Sequence, residues 1–244
     1  MSITDIRHEW VSLAPGFDAR LSLPPAGSGP GLLLFQEIFG VNAHIQAVAD
    51  QYALAGFVVL APDLFWRQSP RMSLGYEGAD RQHAFGAMQA YTPADADADT
   101  SAAVQWLRQS SAVGGRRVGA IGYCMGGRLA YRAAATAGLD AAVAYYGGGI
   151  QQQLDLASAI DCPMQFHYAE RDDHIPPEAV AAVKQAMAGK AAQFYLYGGA
   201  SHGFNCWSRA AYHPASAGLA HGRSLVFLSE TLWADGYRRG PGHP

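Results

Sequence analysis

Residues 122–126 read Gly-Tyr-Cys-Met-Gly, which sets one thiol between two glycines, after the apolar run 117–121 and before a helical pattern. This is the spacing of a nucleophile elbow, G-x-S-x-G, with cysteine in the serine place. Such a strand-to-helix turn is so sharp that only flanking glycines tolerate it, and it thrusts the central side chain out above a parallel sheet. A thiolate at that point can attack an acyl carbon. An isolated thiol titrates near ~8.5, so the chemistry needs an imidazole to take the proton and an acid to orient that imidazole. The bland alternative is a buried cysteine in a glycine-rich turn, since free cysteine is usually a small core hydrophobe.

Suitable partners follow two other apolar runs. After 164–168 comes Glu170-Arg-Asp-Asp-His-Ile-Pro176, and after 193–197 comes Gly198-Gly-Ala-Ser-His-Gly-Phe204. Cys124, an aspartate and His202 then follow in the chain order nucleophile, acid, base. Each stands just past a different strand, at the carboxyl edge where open α/β sheets keep their chemistry. Asp172 and Asp173 compete for the acid, and Asp173 could instead cap the helix starting near Pro176. His167 and His174 read as structural or surface histidines. A tetrahedral intermediate also needs amide donors; the elbow offers Met125, and Gln36-Glu-Ile-Phe-Gly40 offers Ile38. Glu37 then lies beside the nucleophile, where it either raises the thiol pKa by like-charge repulsion or takes up the proton itself.

The elements that must position these groups alternate short apolar runs with helical patterns, as βαβ units do. Strands are expected at 6–13 and 17–23, joined as a hairpin, then at 31–35, 57–61, 117–121, 141–146, 164–168 and 193–197. Helices are expected at 42–55 with Asn42 as cap, 76–90, 94–110, 125–137, 177–187 and 211–234, with an irregular loop at 64–75. The outcome is an α/β fold: a mostly parallel sheet of about eight strands, the first pair antiparallel, in one domain spanning 1–244. The tail 238–244 reads as frayed.

Composition bounds the function. The 244 residues are 50% hydrophobic and 15% charged with net charge −3, and no lysine or arginine block suggests nucleic acid or an anionic membrane. No apolar run reaches the ~18 residues of a membrane span. The first nine residues carry charges where a signal peptide needs its apolar core, so a cytoplasmic location is expected. Three cysteines without a C-x-x-C spacing imply neither a disulfide framework nor a zinc site.

Taken together, Gln36-Glu-Ile-Phe-Gly-Val-Asn42, Ala61-Pro-Asp-Leu64, Gly122-Tyr-Cys-Met-Gly-Gly127, Tyr145-Tyr-Gly-Gly148, Glu170–Pro176 and Ser201-His-Gly-Phe204 resemble the dienelactone hydrolase (carboxymethylenebutenolidase) family over nearly the whole chain. The resemblance implies a monomeric α/β-hydrolase fold without cofactor or metal that cleaves a small-molecule lactone or enol ester. It maps the triad onto Cys124, Asp172 and His202, with Ala169 in the glycine place of the family's acid motif. It matches Glu37 to the glutamate that holds the thiol proton in the resting enzyme. Family members acting on dienelactone grip its carboxylate with two arginines. Arg81 matches the first, but Cys206 stands four residues after His202 where the second belongs, and a thiol does not replace a guanidinium fork. Arg209 is a possible substitute. Tyr123, Phe39, Trp66, Phe85 and Trp207 are the aromatic candidates for an apolar pocket, of which two at most should line it, and Phe39 and Tyr123 are the two expected at the substrate. A broader carboxylesterase or thioesterase, a non-catalytic ligand binder and a thiol redox sensor pairing Cys124 with Cys206 are the alternatives.

Overall fold

The computed structural model describes residues 6–233. The tail expected to fray, 238–244, and Ala234 lie outside the described residues. Eight strands form one sheet: β1 (Arg7–Ala14), β2 (Phe17–Leu23), β3 (Gly31–Phe35), β4 (Val58–Pro62), β5 (Val118–Tyr123), β6 (Ala141–Tyr145), β7 (Met164–Arg171) and β8 (Ala192–Ser201). Their spatial order is β1-β2-β4-β3-β5-β6-β7-β8. β2 pairs antiparallel with both β1 and β4, so it alone runs against the other seven. The central strands β3 to β6 are buried at every residue, as expected for a parallel sheet covered on both faces.

Six helices supply that cover: α1 (Ala43–Leu54), α2 (Gly78–Ala90), α3 (Pro93–Gln109), α4 (Met125–Thr136), α5 (Pro177–Ala186) and α6 (Pro214–Leu232). Helix α1 starts where its cap was expected, with Asn42 accepting from the Ile45 amide; Asn42 also donates to the Leu74 carbonyl and the Tyr76 hydroxyl. It meets α6 through the rings of Tyr52 and His221, 5.2 Å apart. Helix α3 opens with Thr92 and Asp95 in a reciprocal capping box. Its buried Asp99 grips Arg67 through both carboxylate oxygens at 2.9 Å and accepts from Tyr91, tying the irregular segment after β4 to the sheet's flank. Among the described residues no helix is long and apolar enough to cross a membrane.

Three strands run two residues or more further than the apolar pattern indicates, β5 to Tyr123 among them. β7 and β8 continue past Tyr168 and Tyr197, with a register irregularity between Ala169 and Arg171 and a late pair Arg171↔Ser201. The Gly198-Gly199 pair reads as a break in sequence, yet Gly199, at φ +73°, donates its amide to Glu170 and carries the bulge. The extension is what delivers Asp172 and His202, each the first residue past its strand.

At the β5–α4 junction the backbone of Cys124 takes φ 57° and ψ −116°, a conformation a side-chain-bearing residue rarely adopts. The turn closes because its neighbours lack a Cβ. A methyl on Gly122 would stand 1.9 Å from the Gly126 oxygen, one on Gly126 2.4 Å from the Phe35 oxygen, and one on Gly127 2.5 Å from the Tyr145 oxygen. Gly126→Ala is therefore expected to cost ~3 kcal/mol or more in urea unfolding. Gly86→Ala, on α2 with nothing within 4 Å of the added methyl, should instead be neutral or stabilise by about 0.5–1 kcal/mol.

Candidate active site

The three groups singled out by their strand ends meet at one place. His202 Nδ1 lies 2.9 Å from Asp172 Oδ2 and 3.1 Å from Oδ1. Asp172, 8% exposed, also accepts from the His174 amide at 2.9 Å, which fixes the carboxylate behind the ring. Asp173 is exposed, and the cap position of α5 is Pro176 with no side-chain bond, so Asp173 neither faces His202 nor caps the helix. The other imidazole nitrogen, Nε2, is buried and makes no hydrogen bond of ordinary geometry. The Cys124 sulfur is beside it. Burial alone would lower the His202 pKa, but the bond to Asp172 and the adjoining Cys124 outweigh burial and push it up to about 10. Triad contacts that are long in a resting site commonly tighten with substrate bound.

Cys124 and His202 open into a cavity of about 170 Å³, bordered on one side by Ile38, Phe39 and Met125. Met125 is the first residue of α4, where backbone amides have no acceptor within the helix. Ile38 sits in the turn after β3, held in place by the Leu74 amide bonding the Phe39 carbonyl and by a bridge between Gly40 and Ser73. Gly40 (φ +79°) is needed there, since a Cβ would fall 1.8 Å from the Met72 oxygen.

Glu37 is 1% exposed and its partner is Arg209, whose Nη1 donates to Oε1 at 3.2 Å; Oε2 has no partner. The bond to the Cys124 thiol expected from the resemblance is not formed. Burial raises the Glu37 pKa, opposed by the charges of Arg209 and His202 and by the Arg209 hydrogen bond. Arg209 therefore does face the cavity, stacked over Phe39 and Tyr76 at 5.8 and 5.6 Å. Cys206, in the place of the resemblance's second arginine, is fully buried and bonds the Tyr76 hydroxyl; burial and the nearby Glu37 push its thiol up to about 11.

Of the expected aromatic residues, Phe39 and Phe85 line the cavity, as does Arg81, which leans over the Phe85 ring at 5.7 Å. Tyr123 does not. It is 1% exposed and pairs across the strands with Tyr145, whose hydroxyl bonds Ser224 of α6, so its ring is directed into the helix-covered face of the sheet. Trp66 stacks on Phe17, and Trp207 packs on His44. His167 is buried in a network with Gln165, Tyr197 and Ser224. His174, expected to be structural or surface, lines the cavity with its ring edge-on to His202 at 4.9 Å. Met88, Arg128 and Gly148 are further lining residues that no motif marks. Among the described residues, Glu37, His44 and Cys206 bring donor atoms within 4.8 Å of one another as a metal could require, but Arg209 already holds Glu37 and its charge opposes a cation.

Comparison with known proteins bears on the family and the fold. The model of the dienelactone hydrolase family matches residues 17–232. A carboxymethylenebutenolidase of Pseudomonas sp. (strain P51) is 34% identical over 213 residues, 87% of this chain and 89% of that one. A Bradyrhizobium protein provisionally named a 2-oxo-3-(5-oxofuran-2-ylidene)propanoate lactonase is 29% identical, over 93% of this chain and 96% of its own. The crystal structure of a Klebsiella pneumoniae protein, provisionally named a dienelactone hydrolase, superposes with TM-score 0.83 at 28% identity, covering 93% of this chain and 99% of that one.

The His202 pKa gives a pH prediction with a definite sign. A folded pKa of about 10 against the ordinary 6.5 of an imidazole stabilises the fold fully below pH 6.5, and that contribution drains away as pH rises to about 10. Asp172→Asn removes a bond that raises the pKa. In urea melts the variant should be further below wild type at pH 6 than at pH 10; a gap that widens toward pH 10 would contradict the assignment.

Proposed function

The chain belongs to the dienelactone hydrolase family, and we propose that it hydrolyses a small carboxylic ester or lactone through a thioester on Cys124. The observation that carries this reading is the convergence of Cys124, His202, Ile38 and Met125 on one cavity with Asp172 behind the imidazole. In the proposed sequence His202 holds the thiol proton as an imidazolium, stabilised by Asp172. The Cys124 sulfur adds to the acyl carbon, and the Ile38 and Met125 amides receive the charge that moves onto the carbonyl oxygen. The C–O bond then breaks. With a lactone the departing enolate stays tethered to the acyl group and takes the proton held on His202, which leaves the imidazole neutral and suits a thiolate nucleophile. Neutral His202 next draws a proton from water, hydroxide adds to the thioester, and the sulfur leaves, recovering the proton from His202.

Glu37 enters this scheme as a buried carboxyl whose raised pKa suits it to hold a proton near the nucleophile, with Arg209 fixing its place. The small cavity supports a compact acyl group over the long chains of a broad thioesterase. The raised pKa of Cys206 disfavours a disulfide-forming sensor, since the thiolate is the exchanging species. One sheet with one contiguous core supports a single domain, and the reading carries with it a monomeric enzyme in a reducing, cytoplasmic compartment.

Cys124→Ala should abolish hydrolysis of p-nitrophenyl acetate while circular dichroism and Tm stay at wild-type values, and Cys124→Ser should keep only a trace. Full activity in Cys124→Ala would remove the sulfur from the reaction.

A further inference from the structure

Three guanidinium groups border the catalytic cavity, and they are not equivalent. Arg209 is held by the buried Glu37. Arg81 is exposed and rests over the Phe85 ring. Arg128, at the end of the first turn of α4, is half-buried, and its side chain meets no carboxylate and no hydrogen-bond acceptor among the described residues. Its guanidinium lies across the turn that follows β6: a Cβ on Gly149 would stand 2.8 Å from Arg128 Nη1 and 3.1 Å from its Cδ. Gly149, at φ +91°, is what leaves room for the group to lie there and face the cavity beside Gly148.

A half-buried charge without a partner is costly unless something of opposite sign completes it. The carboxylates of this region are already engaged, Asp172 with His202 and Glu37 with Arg209. Cys124 acts on Arg128 only through its charge and makes no hydrogen bond to it, so the N–H donors of Arg128 are left to the ligand. Guanidinium presents paired N–H donors that match a carboxylate.

We propose that Arg128 is the anion-binding residue of the cavity, and that the substrate carries a carboxylate seated on it while its ester or lactone carbonyl faces Cys124. The inference rests on the hydrolase reading above, and it places the carboxylate grip at a position to which the sequence motifs assign no role. Burial works to lower the Arg128 pKa and the charge of Cys124 opposes it, but an arginine stays protonated at working pH.

The test compares mono-p-nitrophenyl succinate with p-nitrophenyl acetate. Wild type should show the higher kcat/KM on the anionic ester. Arg128→Gln should lower the succinate-to-acetate ratio by about 30-fold, mostly through KM, as expected for a charge-assisted hydrogen bond of about 2 kcal/mol. Arg128→Lys should recover part of it. Arg81→Gln should move the ratio less than threefold, because an exposed charge is screened. Arg128→Met keeps the side-chain bulk, so a similar fall in that variant with wild-type Tm removes misfolding as the cause. Binding of glutarate to the Cys124→Ala protein, read by calorimetry without turnover, should weaken at least tenfold on adding Arg128→Gln. An unchanged ratio together with unchanged glutarate binding overturns the Arg128 assignment and leaves the hydrolase reading standing. Hydrolysis of both esters by Cys124→Ala at wild-type rate overturns the hydrolase reading itself.

Discussion

The site depends on a backbone constraint at Cys124. Its positive φ lies in a region that costs of order 1–3 kcal/mol for a residue with a side chain. The surroundings over-determine it: the Cys124 amide bonds the Tyr145 carbonyl at 3.0 Å, and the Gly126 backbone presses on Phe35 and Gln36. These same contacts bring three strands to one point. β3 contributes the loop with Glu37 and Ile38, β5 the sulfur, and β6 the Tyr146 ring that stands edge-on to His202 at 5.1 Å. Tyr146 has a positive φ as well, 35°, so two strained residues adjoin the imidazole. Relaxing the elbow would separate the sulfur from the amide that follows it, and with them the nucleophile from its charge acceptor.

Around this frame the electrostatics follow from burial. His202 stays a strong base because Asp172 and the sulfur flank it despite desolvation. Glu37 moves the other way, toward its neutral form, because burial outweighs the nearby arginine. Two groups whose ordinary pKa values, 6.5 and 4.5, both lie below neutrality are thus each pushed toward holding a proton, one as imidazolium and one as carboxylic acid. Such departure from ordinary values, in a cavity bearing a nucleophile, is characteristic of acid–base sites. Beneath the site Tyr145 bonds Ser224, and His167 bonds Tyr197, Gln165 and Ser224, which keeps these polar groups in the core without charge, whereas the buried hydroxyls of Tyr52 and Tyr146 have no partner.

Much of the fold was legible in the chain. Fully apolar runs such as Gly31–Phe35 announce buried parallel strands, and the Asn42 cap announces a helix start. The ends of β7 and β8 were not, because Gly198-Gly199 reads as a break unless the bulge it forms opposite Ala169–Arg171 of β7 is known. Tyr123 was misjudged for a related reason. Adjacency to the nucleophile in sequence says nothing about direction, and successive strand residues point to opposite faces.

Residue types and spacing determined the chemistry available here: a thiol on a glycine elbow, an imidazole and a carboxylate at other strand ends, and a carboxylate in the loop after β3. They determined it because an elbow and a strand end are local features, written in consecutive residues. Tertiary structure decided which aspartate meets His202, that Glu37 bonds Arg209 and not the thiol, and that Arg128 reaches the cavity without a partner. Those outcomes depend on distances between side chains 30 to 172 residues apart along the chain, and only packing sets such distances.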